Sequence, residues 1–346
     1  MDVRLFLIGF GNVGWGIADL LVEKRDELRD TYGLNFLVTG IATRSHGVLL
    51  KEDGLNLVQI LESVDGGKDF KYKDFKYCGY PVQNFSTDEA LQQVPFDVLL
   101  ELSVTNLRDG EPAVSYIRKA LEWGKHVVTT NKGPIALYLD ALTELAKERG
   151  VALRYEGTVM AGTPLLNLIE KNLAGLEITK VEGILNGSTN FILTRMEDGL
   201  EYEDAVEEAR GKGILEADAS ADLDGWDAVA KVIILSQAVF GEPLEVGQVQ
   251  RQGIAHLRRE DILKAQAVNK VWKLIARVEK VGKRMEASVR PEMVDRDQPL
   301  AMVKGTMNAA TIFTDYMKEV TIFGPGAGRH ETGFAVLNDL LAIFAK

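Results

Sequence analysis

The sequence predicts an α/β chain, with an N-terminal doubly wound parallel sheet followed by an α+β domain whose sheet is more antiparallel. Three observations carry that prediction. Strand-like apolar runs alternate with helix-length amphipathic stretches over the first 150 residues. A glycine fingerprint separates the first strand from the first helix. Beyond Gly157 the alternation loosens, and helices mix with strands that have no regular partner helix.

Taken in order, the first strand is Val3-Arg4-Leu5-Phe6-Leu7-Ile8, and the first helix includes Ile17-Ala18-Asp19-Leu20-Leu21-Val22. Phe36 to Ala42, Asp97 to Leu102 and His126 to Thr129 read as further buried parallel strands, with Val151 to Tyr155 as another. Glu111 to Trp123 and Tyr138 to Arg149 read as the helices between them. In the second half, Pro164 to Asn172, Tyr202 to Gly211, Trp226 to Phe240 and Ile262 to Ala276 are predicted helices. Lys180 to Leu185, Arg284 to Val289, Leu300 to Gly305 and Glu319 to Phe323 are predicted strands, and Glu331 to Phe344 a last amphipathic helix. The doublet Asp69-Phe70-Lys71-Tyr72 and Asp74-Phe75-Lys76-Tyr77, within Asp69 to Tyr80, reads as a surface loop or hairpin.

With 346 residues the chain can bury a sizeable core in two or three domains. A net charge of -11, with no clustered basic face, disfavours nucleic acid as a partner. Cys78 is the only cysteine, which excludes an internal disulfide and a thiolate metal cage and fits a reducing compartment. No signal pattern precedes the first strand, and no apolar run approaches the roughly 20 residues that span a bilayer. A cytoplasmic location without membrane contact is expected.

Gly9-Phe10-Gly11-Asn12-Val13-Gly14 lies after a strand and opens a helix. Glycines there permit a tight turn, close approach of backbone to pyrophosphate, and helix-on-strand packing, while the helix N-terminus offers unpaired N–H groups. In that context the pattern is a Rossmann-type dinucleotide cradle. An NAD-type site usually ends its second strand with an acid; this one reads Ile41-Ala42-Thr43-Arg44-Ser45-His46, and Arg44 suits a 2′-phosphate. NADP is favoured, with NAD possible.

Hydride chemistry also needs a group that manages charge or a proton on the substrate oxygen. His46, His126, His256 and His330 sit in no relay-like spacing, so lysines and carboxylates come forward. Asp227 and Lys231 share a face of an otherwise apolar helix. Either they form an ordinary surface pair, or they are two buried charges suited to proton transfer near neutrality. Upstream lies Glu216-Ala217-Asp218-Ala219-Ser220-Ala221-Asp222-Leu223-Asp224, whose acids either cap the helix or grip the ammonium of an amino-acid substrate. Lys132, in Thr129-Thr130-Asn131-Lys132-Gly133-Pro134, follows a strand end where open parallel sheets bind ligands. Asn186-Gly187-Ser188-Thr189-Asn190 stands at a strand-to-helix junction, where Ser188 or Thr189 could serve as a cap. Gly324-Pro325-Gly326-Ala327-Gly328-Arg329-His330-Glu331-Thr332-Gly333 either bends the chain between domains or closes its amides over a dinucleotide.

In that order these motifs resemble the homoserine dehydrogenases, from Gly9 to Gly333. The most specific pieces are Asn186 to Asn190 and the run Glu216, Asp222, Gly225, Asp227, Lys231. The resemblance implies reversible NAD(P)-dependent reduction of L-aspartate 4-semialdehyde to L-homoserine, in threonine, methionine and isoleucine biosynthesis. It implies Lys231 as catalytic lysine, Lys132 as a second active-site lysine and Asp227 beside the former. Glu216 would hold the substrate amine, with Asp222, Asn186, Gly187 and Thr189 around the substrate. Cofactor contacts would come from Gly9, Phe10, Gly11, Asn12, Val13, Gly14, Arg44, Ser103, Thr105, Lys132, Gly326 and Gly328. It further implies a monovalent cation, usually sodium, held at Glu156, Val159, Ala161 and Thr163, and a homodimer formed through the catalytic domain.

The domains expected on this basis are a nucleotide-binding domain over 1–155, a catalytic and dimerisation domain over 156–318, and a C-terminal segment, 319–346, returning to the first. Ala219 stands where many members have proline, which changes loop stiffness. Because the chain stops at Lys346, an added amino-acid-sensing domain is not expected.

Overall fold

A computed structural model describes residues 1–63, 78–215 and 218–345. The chain divides into two compact units, Met1–Gly162 with Gly328–Lys346, and Thr163–Ala327.

The first unit runs β1 (Asp2–Ile8), α1 (Asn12–Glu23), α2 (Arg25–Tyr32), β2 (Asn35–Thr43), β3 (Gly47–Leu50), α3 (Leu57–Ser63) and α4 (Thr87–Ala90). It continues with β4 (Val98–Glu101), α5 (Ala113–Glu122), β5 (His126–Thr129), α6 (Lys132–Arg149) and β6 (Leu153–Arg154). The sheet order is β3-β2-β1-β4-β5-β6, parallel throughout except for the β2–β3 hairpin. That order puts a switch point beside β1, where connections leave in opposite directions. Successive residues of β1 explain the double winding. Val3, Leu5 and Leu7 pack into one core with Ile17 and Leu21, while Phe6 and Ile8 pack into another with Ile117 and Leu142. Both faces are apolar, as a covered parallel strand requires. Each such side chain contributes about 1.5–3 kcal/mol on burial.

The second unit runs α7 (Leu165–Asn167), β7 (Ile178–Ile184), α8 (Gly187–Glu197), α9 (Tyr202–Gly211), α10 (Ser220–Leu223), α11 (Trp226–Phe240), β8 (Gln250–Arg251) and α12 (Arg259–Ala267). It closes with β9 (Lys270–Val281), β10 (Arg284–Asp295), β11 (Met307–Thr314) and β12 (Lys318–Pro325). Its sheet order is β12-β11-β7-β9-β10-β8, antiparallel but for the short β8–β10 pairing. Helix α11 packs on β9 and β10 and is buried without interruption from Ala228 to Gln237. The final helix, α13 (Arg329–Phe344), belongs to the first unit, where it packs against α1.

Several sequence expectations need correction. The helix expected over Ile262 to Ala276 ends at Ala267. Asn269 takes a left-handed φ of 58°, and Val271-Trp272-Lys273-Leu274-Ile275 then extends as β9, paired along its whole length with β10. Leu300 to Gly305 is no strand: Pro299 opens a 3-10 turn, Pro299–Met302, and the strand, β11, begins only at Met307. Pro164 to Asn172 is helical, but its second half is a π turn, Leu168–Asn172. The units divide at Gly162/Thr163 and Ala327/Gly328, not at 155/156 and 318/319. The second shift follows from β12, whose eight residues pair with β11 and so keep it in the second unit. Of the segment Asp69 to Tyr80, residues 69–77 lie outside the described residues. No described helix is long and apolar enough to cross a membrane.

Candidate functional site

Each unit carries its own share of the candidate residues. In the first, the cradle Gly9–Gly14 lies between β1 and α1, and Gly11 is the helix N-cap without a side-chain cap bond. Gly9 has φ 91°, and a Cβ on it would lie 2.6 Å from the carbonyl oxygen of Leu102. Only glycine fits there, because the turn runs against the chain leaving β4. A Cβ on Gly11, by contrast, would meet nothing within 4 Å. The open backbone at the head of a twelve-residue helix therefore fits a dinucleotide pyrophosphate. Phe10 is buried in the core, while Asn12 and Val13 form the first turn of α1. Arg44 is exposed in the β2–β3 turn, where Thr43 Oγ1 donates to Gly47 O at 3.1 Å.

Past β4 and β5, a buried carboxylate that the sequence reading passed over organises the strand ends. Glu101 is fully buried and accepts from the backbone N–H of Ser103 at 3.1 Å, the Ser103 hydroxyl, and Thr129 Oγ1 at 3.2 Å. Burial pushes its carboxyl above the usual range, against the lowering effect of those donors. Asn131 donates to Ser103 O at 3.4 Å and caps α6 by accepting from Gly133 N at 3.1 Å. One network thus fixes both the start of the Ser103–Thr105 segment and the junction that carries Lys132, the first residue of α6. The signal in the sequence is a lone acid inside the apolar run Val98-Leu99-Leu100-Glu101-Leu102.

His126 Nδ1 accepts from Ala152 N at 3.0 Å, and His330 Nε2 lies 2.8 Å from Asp19. Further along this unit, Glu156 opens a 3-10 turn, Glu156–Thr158, and is buried with Val159 and Ala161, the last at a left-handed φ of 47°. Asp339 on α13 accepts from Glu156 N at 3.0 Å. No cluster of three or more His, Cys, Asp or Glu suited to a metal occurs among the described residues. A buried acid offers oxygen donors, which suit a hard cation better than a transition metal. Thr163, which opens the second unit, donates its hydroxyl to Pro325 O at 3.0 Å.

In the second unit the acid–amide–lysine group comes together. Lys231 is 7% exposed; its Nζ donates to Leu185 O at 2.5 Å and lies 2.9 Å from Asp227 Oδ2. The lysine is therefore buried and its carboxylate partner half-buried, so the pair is not a solvated surface bridge. Asn186 donates its amide to Asp222 Oδ1 at 2.6 Å and to Asp227 Oδ2 at 3.1 Å. Its Oδ1 accepts from the backbone N–H of Thr189 at 2.9 Å, so Asn186 itself caps α8, the role the sequence offered to Ser188 or Thr189. Burial raises the Asp222 carboxyl above the usual range; the Asn186 hydrogen bond lowers it, and the Asp227 charge raises it again. Asp224 does not cap α11: the N-cap is Gly225 at φ 84°, with no side-chain cap bond. Asp218 instead accepts from Ser220 N at 3.0 Å. Glu216 lies outside the described residues. Gly187 begins α8 beside this group. Gly326 packs against the buried amide of Asn308, and Gly328, in the first unit, is the N-cap of α13.

Two family models match the chain: the homoserine dehydrogenase NAD-binding domain over residues 9–156, and homoserine dehydrogenase over residues 164–341. The chain is 39% identical over 345 residues to an NAD(+)-dependent homoserine dehydrogenase of Pseudomonas canavaninivorans, covering 99% of this chain and 96% of that protein. It is 40% identical over 347 residues to homoserine dehydrogenase of Methanocaldococcus jannaschii, covering 99% and 98%. Among solved structures, a hyperthermophilic archaeal homoserine dehydrogenase in complex with NADPH superposes with TM-score 0.84 at 35% identity, covering 99% of this chain and 98% of that one. The enzyme from Thiobacillus denitrificans gives TM-score 0.84 at 28% identity, with 99% of this chain matching 73% of the longer one.

Proposed function

The chain belongs to the homoserine dehydrogenase family, and from that premise we propose how its own residues carry the NAD(P)-dependent interconversion of L-aspartate 4-semialdehyde and L-homoserine. When bound, the nicotinamide cofactor supplies or accepts the hydride. The N-terminus of α1 and the amides of Gly9, Phe10, Gly11, Asn12, Val13 and Gly14 hold its pyrophosphate. Ser103, Thr105, Gly326 and Gly328 flank it, and Arg44 pairs with the 2′-phosphate, so NADPH is the preferred form. The exposed turn position of Arg44 supports this, since a guanidinium there is free to meet a phosphate bidentately. The relatives include both an enzyme named NAD(+)-dependent and one solved with NADPH.

Lys231 stabilises the alkoxide that develops as hydride reaches the aldehyde carbon and delivers a proton to it; Asp227 fixes the ammonium, and Lys132 assists. Asp222, Asn186, Gly187, Thr189 and Glu216 hold the substrate, the acids facing its ammonium. One observation carries this assignment: a lysine at 7% exposure is held by a carboxylate at 2.9 Å, inside an otherwise apolar helix. A preorganised cation in such a water-poor setting contributes on the order of 3 kcal/mol to a developing oxyanion. Glu156, Val159, Ala161 and Thr163 bind a sodium ion that stiffens their segment. The enzyme works as a homodimer, for which the exposed Phe323, Tyr316 and Met317 around the β11–β12 hairpin offer apolar surface. It serves threonine, methionine and isoleucine biosynthesis in the cytoplasm.

The test is an aspartate-semialdehyde assay with NADPH and NADH, comparing the wild type with Lys231→Ala. We expect kcat to fall roughly 100- to 1000-fold, with dinucleotide Kd within about twofold. An unchanged kcat would remove Lys231 from the mechanism.

A further inference from the structure

The cradle at Gly9–Gly14 has a neighbour that the motif does not include. Arg329 is the first residue of α13, and its guanidinium stacks over the Trp15 ring, 4.6 Å from the ring centroid. Its Nη2 stands 3.5 Å from Oδ1 of Asn12, the first residue of α1. Backbone contact fixes this arrangement. A Cβ on Gly16 would lie 2.1 Å from Arg329 O, and one on Gly333 would lie 2.7 Å from Gly16 C. The second turn of α1 and the first turns of α13 therefore touch main chain to main chain. Arg329 thus projects from the start of α13 toward the first turn of α1, while the Glu331 carboxylate lies against Gly328, the N-cap of α13. The carboxylate of Asp19, on the same α1–α13 contact, is engaged by His330 Nε2 at 2.8 Å.

We propose that Arg329 is a cofactor-binding residue whose guanidinium forms a second arm of the anion site and contacts the pyrophosphate of the dinucleotide. The inference rests on the reading of Gly9–Gly14 as the cofactor cradle. A guanidinium presents planar paired donors to phosphate oxygens, and stacking on an indole fixes its plane at little entropic cost. The pyrophosphate is common to NADPH and NADH, so Arg329 raises affinity for both, whereas a 2′-phosphate contact would distinguish them.

The experiment measures Kd for NADPH and NADH by isothermal titration calorimetry over a salt series, with Tm for each protein. The wild type is compared with Arg329→Gln and Arg329→Lys. Arg329→Gln should raise both Kd values by a similar factor, roughly 10- to 100-fold at low salt, and flatten the dependence of log Kd on log salt concentration. Arg329→Lys should recover part of the loss. Unchanged Kd values in Arg329→Gln, whether or not Tm falls, would reduce Arg329 to a staple between α1 and α13 and overturn the proposal. A loss confined to NADPH would move its contact to the 2′-phosphate and overturn the pyrophosphate assignment. A wild type that binds neither dinucleotide, or a Gly9→Ala variant that binds both normally, would instead remove the cradle reading, and the proposal with it.

Discussion

The amide of Asn186 bridges two carboxylates, 2.6 Å from Asp222 and 3.1 Å from Asp227, while its carbonyl caps α8 through Thr189 N at 2.9 Å. Asp227 in turn holds Lys231. Asn186 thus hydrogen-bonds to both acids and also fixes a helix start. Asn186→Ala should therefore lose on the order of 1 kcal/mol for the cap and a further 1–3 kcal/mol for polar groups left unpaired. We expect a lower Tm together with a kcat reduced about tenfold or more, and Asn186→Asp should be worse in kcat because it adds a third acid. Thermal scans and initial rates on the two variants check this; wild-type kcat in both would separate Asn186 from catalysis.

Arg44 should govern cofactor choice alone. In Arg44→Ala we expect kcat/KM for NADPH to fall about 10-fold or more, the equivalent of one charge-assisted hydrogen bond. The value for NADH should stay within about twofold, because no 2′-phosphate is present to lose a partner. Steady-state kinetics with both cofactors provide the measurement. Equal losses with the two would place Arg44 elsewhere on the dinucleotide.

The dinucleotide-binding architecture and the lysine–acid pair were legible because their signals are local. Alternating apolar runs, a six-residue glycine turn and the Asp227–Lys231 spacing each lie within one or two elements, and the family order of the motifs joined them. Less legible were the features made by distant residues. The helix period over Ile262 to Ala276 competed with a strand whose pairing with β10 lies up to 25 residues away, as in Lys270 with Asp295. The same tertiary override turned Leu300 to Met302 into a helical turn that buries Leu300 and Ala301 against Ile184 and Ile275. Asn186 was selected as part of a motif, but nothing in the sequence says that its amide spans residues 36 and 41 positions ahead. Glu101 and Lys273 share a weaker signal, one charge inside a short apolar run (Val98 to Leu102 and Val271 to Ala276), which marks burial without naming a partner.

Glu101 should act by holding Ser103 and Thr129 in place. Glu101→Gln keeps the shape and most of the hydrogen bonds, whereas Glu101→Leu leaves the Ser103 N–H and hydroxyl unpaired, at about 1–3 kcal/mol each. The Leu variant should show a raised KM for the cofactor at a smaller change in kcat, with Gln restoring it. The pH dependence has a definite sign. Burial raises this carboxyl above its ordinary value, so the folded protein holds its proton more tightly than the unfolded chain. Stability is therefore greatest below the ordinary carboxylate range and falls as pH rises toward the raised value. Relative to Glu101→Gln, the wild type should lose stability between about pH 4 and the raised folded value. Urea unfolding of both proteins across acid to neutral pH gives the comparison, and parallel curves would show that Glu101 carries no linked proton.

Lys273 gives the opposite case at alkaline pH. It is 1% exposed in β9, and its Nζ donates to Asn190 Oδ1 at 3.0 Å and to Val303 O at 2.5 Å. Burial lowers its pKa to about 8; the Glu197 charge opposes that shift, and Lys304 and Arg296 add to it. Because Asn190 Nδ2 also donates to Gly305 O at 2.9 Å and Met307 O at 3.2 Å, the ammonium helps pin the turn before β11. Below about pH 8 the lysine is charged in both the folded and unfolded states, and the fold bears the full cost of burying the charge. As pH rises from there toward about 10.5, the ordinary lysine value, the folded protein releases its proton while the unfolded chain retains it. The unfolded state then binds more protons, so stability rises with pH across that window. Against Lys273→Met, the wild type should gain on the order of 2 kcal/mol between pH 8 and 10, read as a growing difference in urea midpoints at constant slope. A difference that stays flat would mean that Lys273 keeps its proton in the fold, held by Asn190 and Val303 strongly enough to offset its burial.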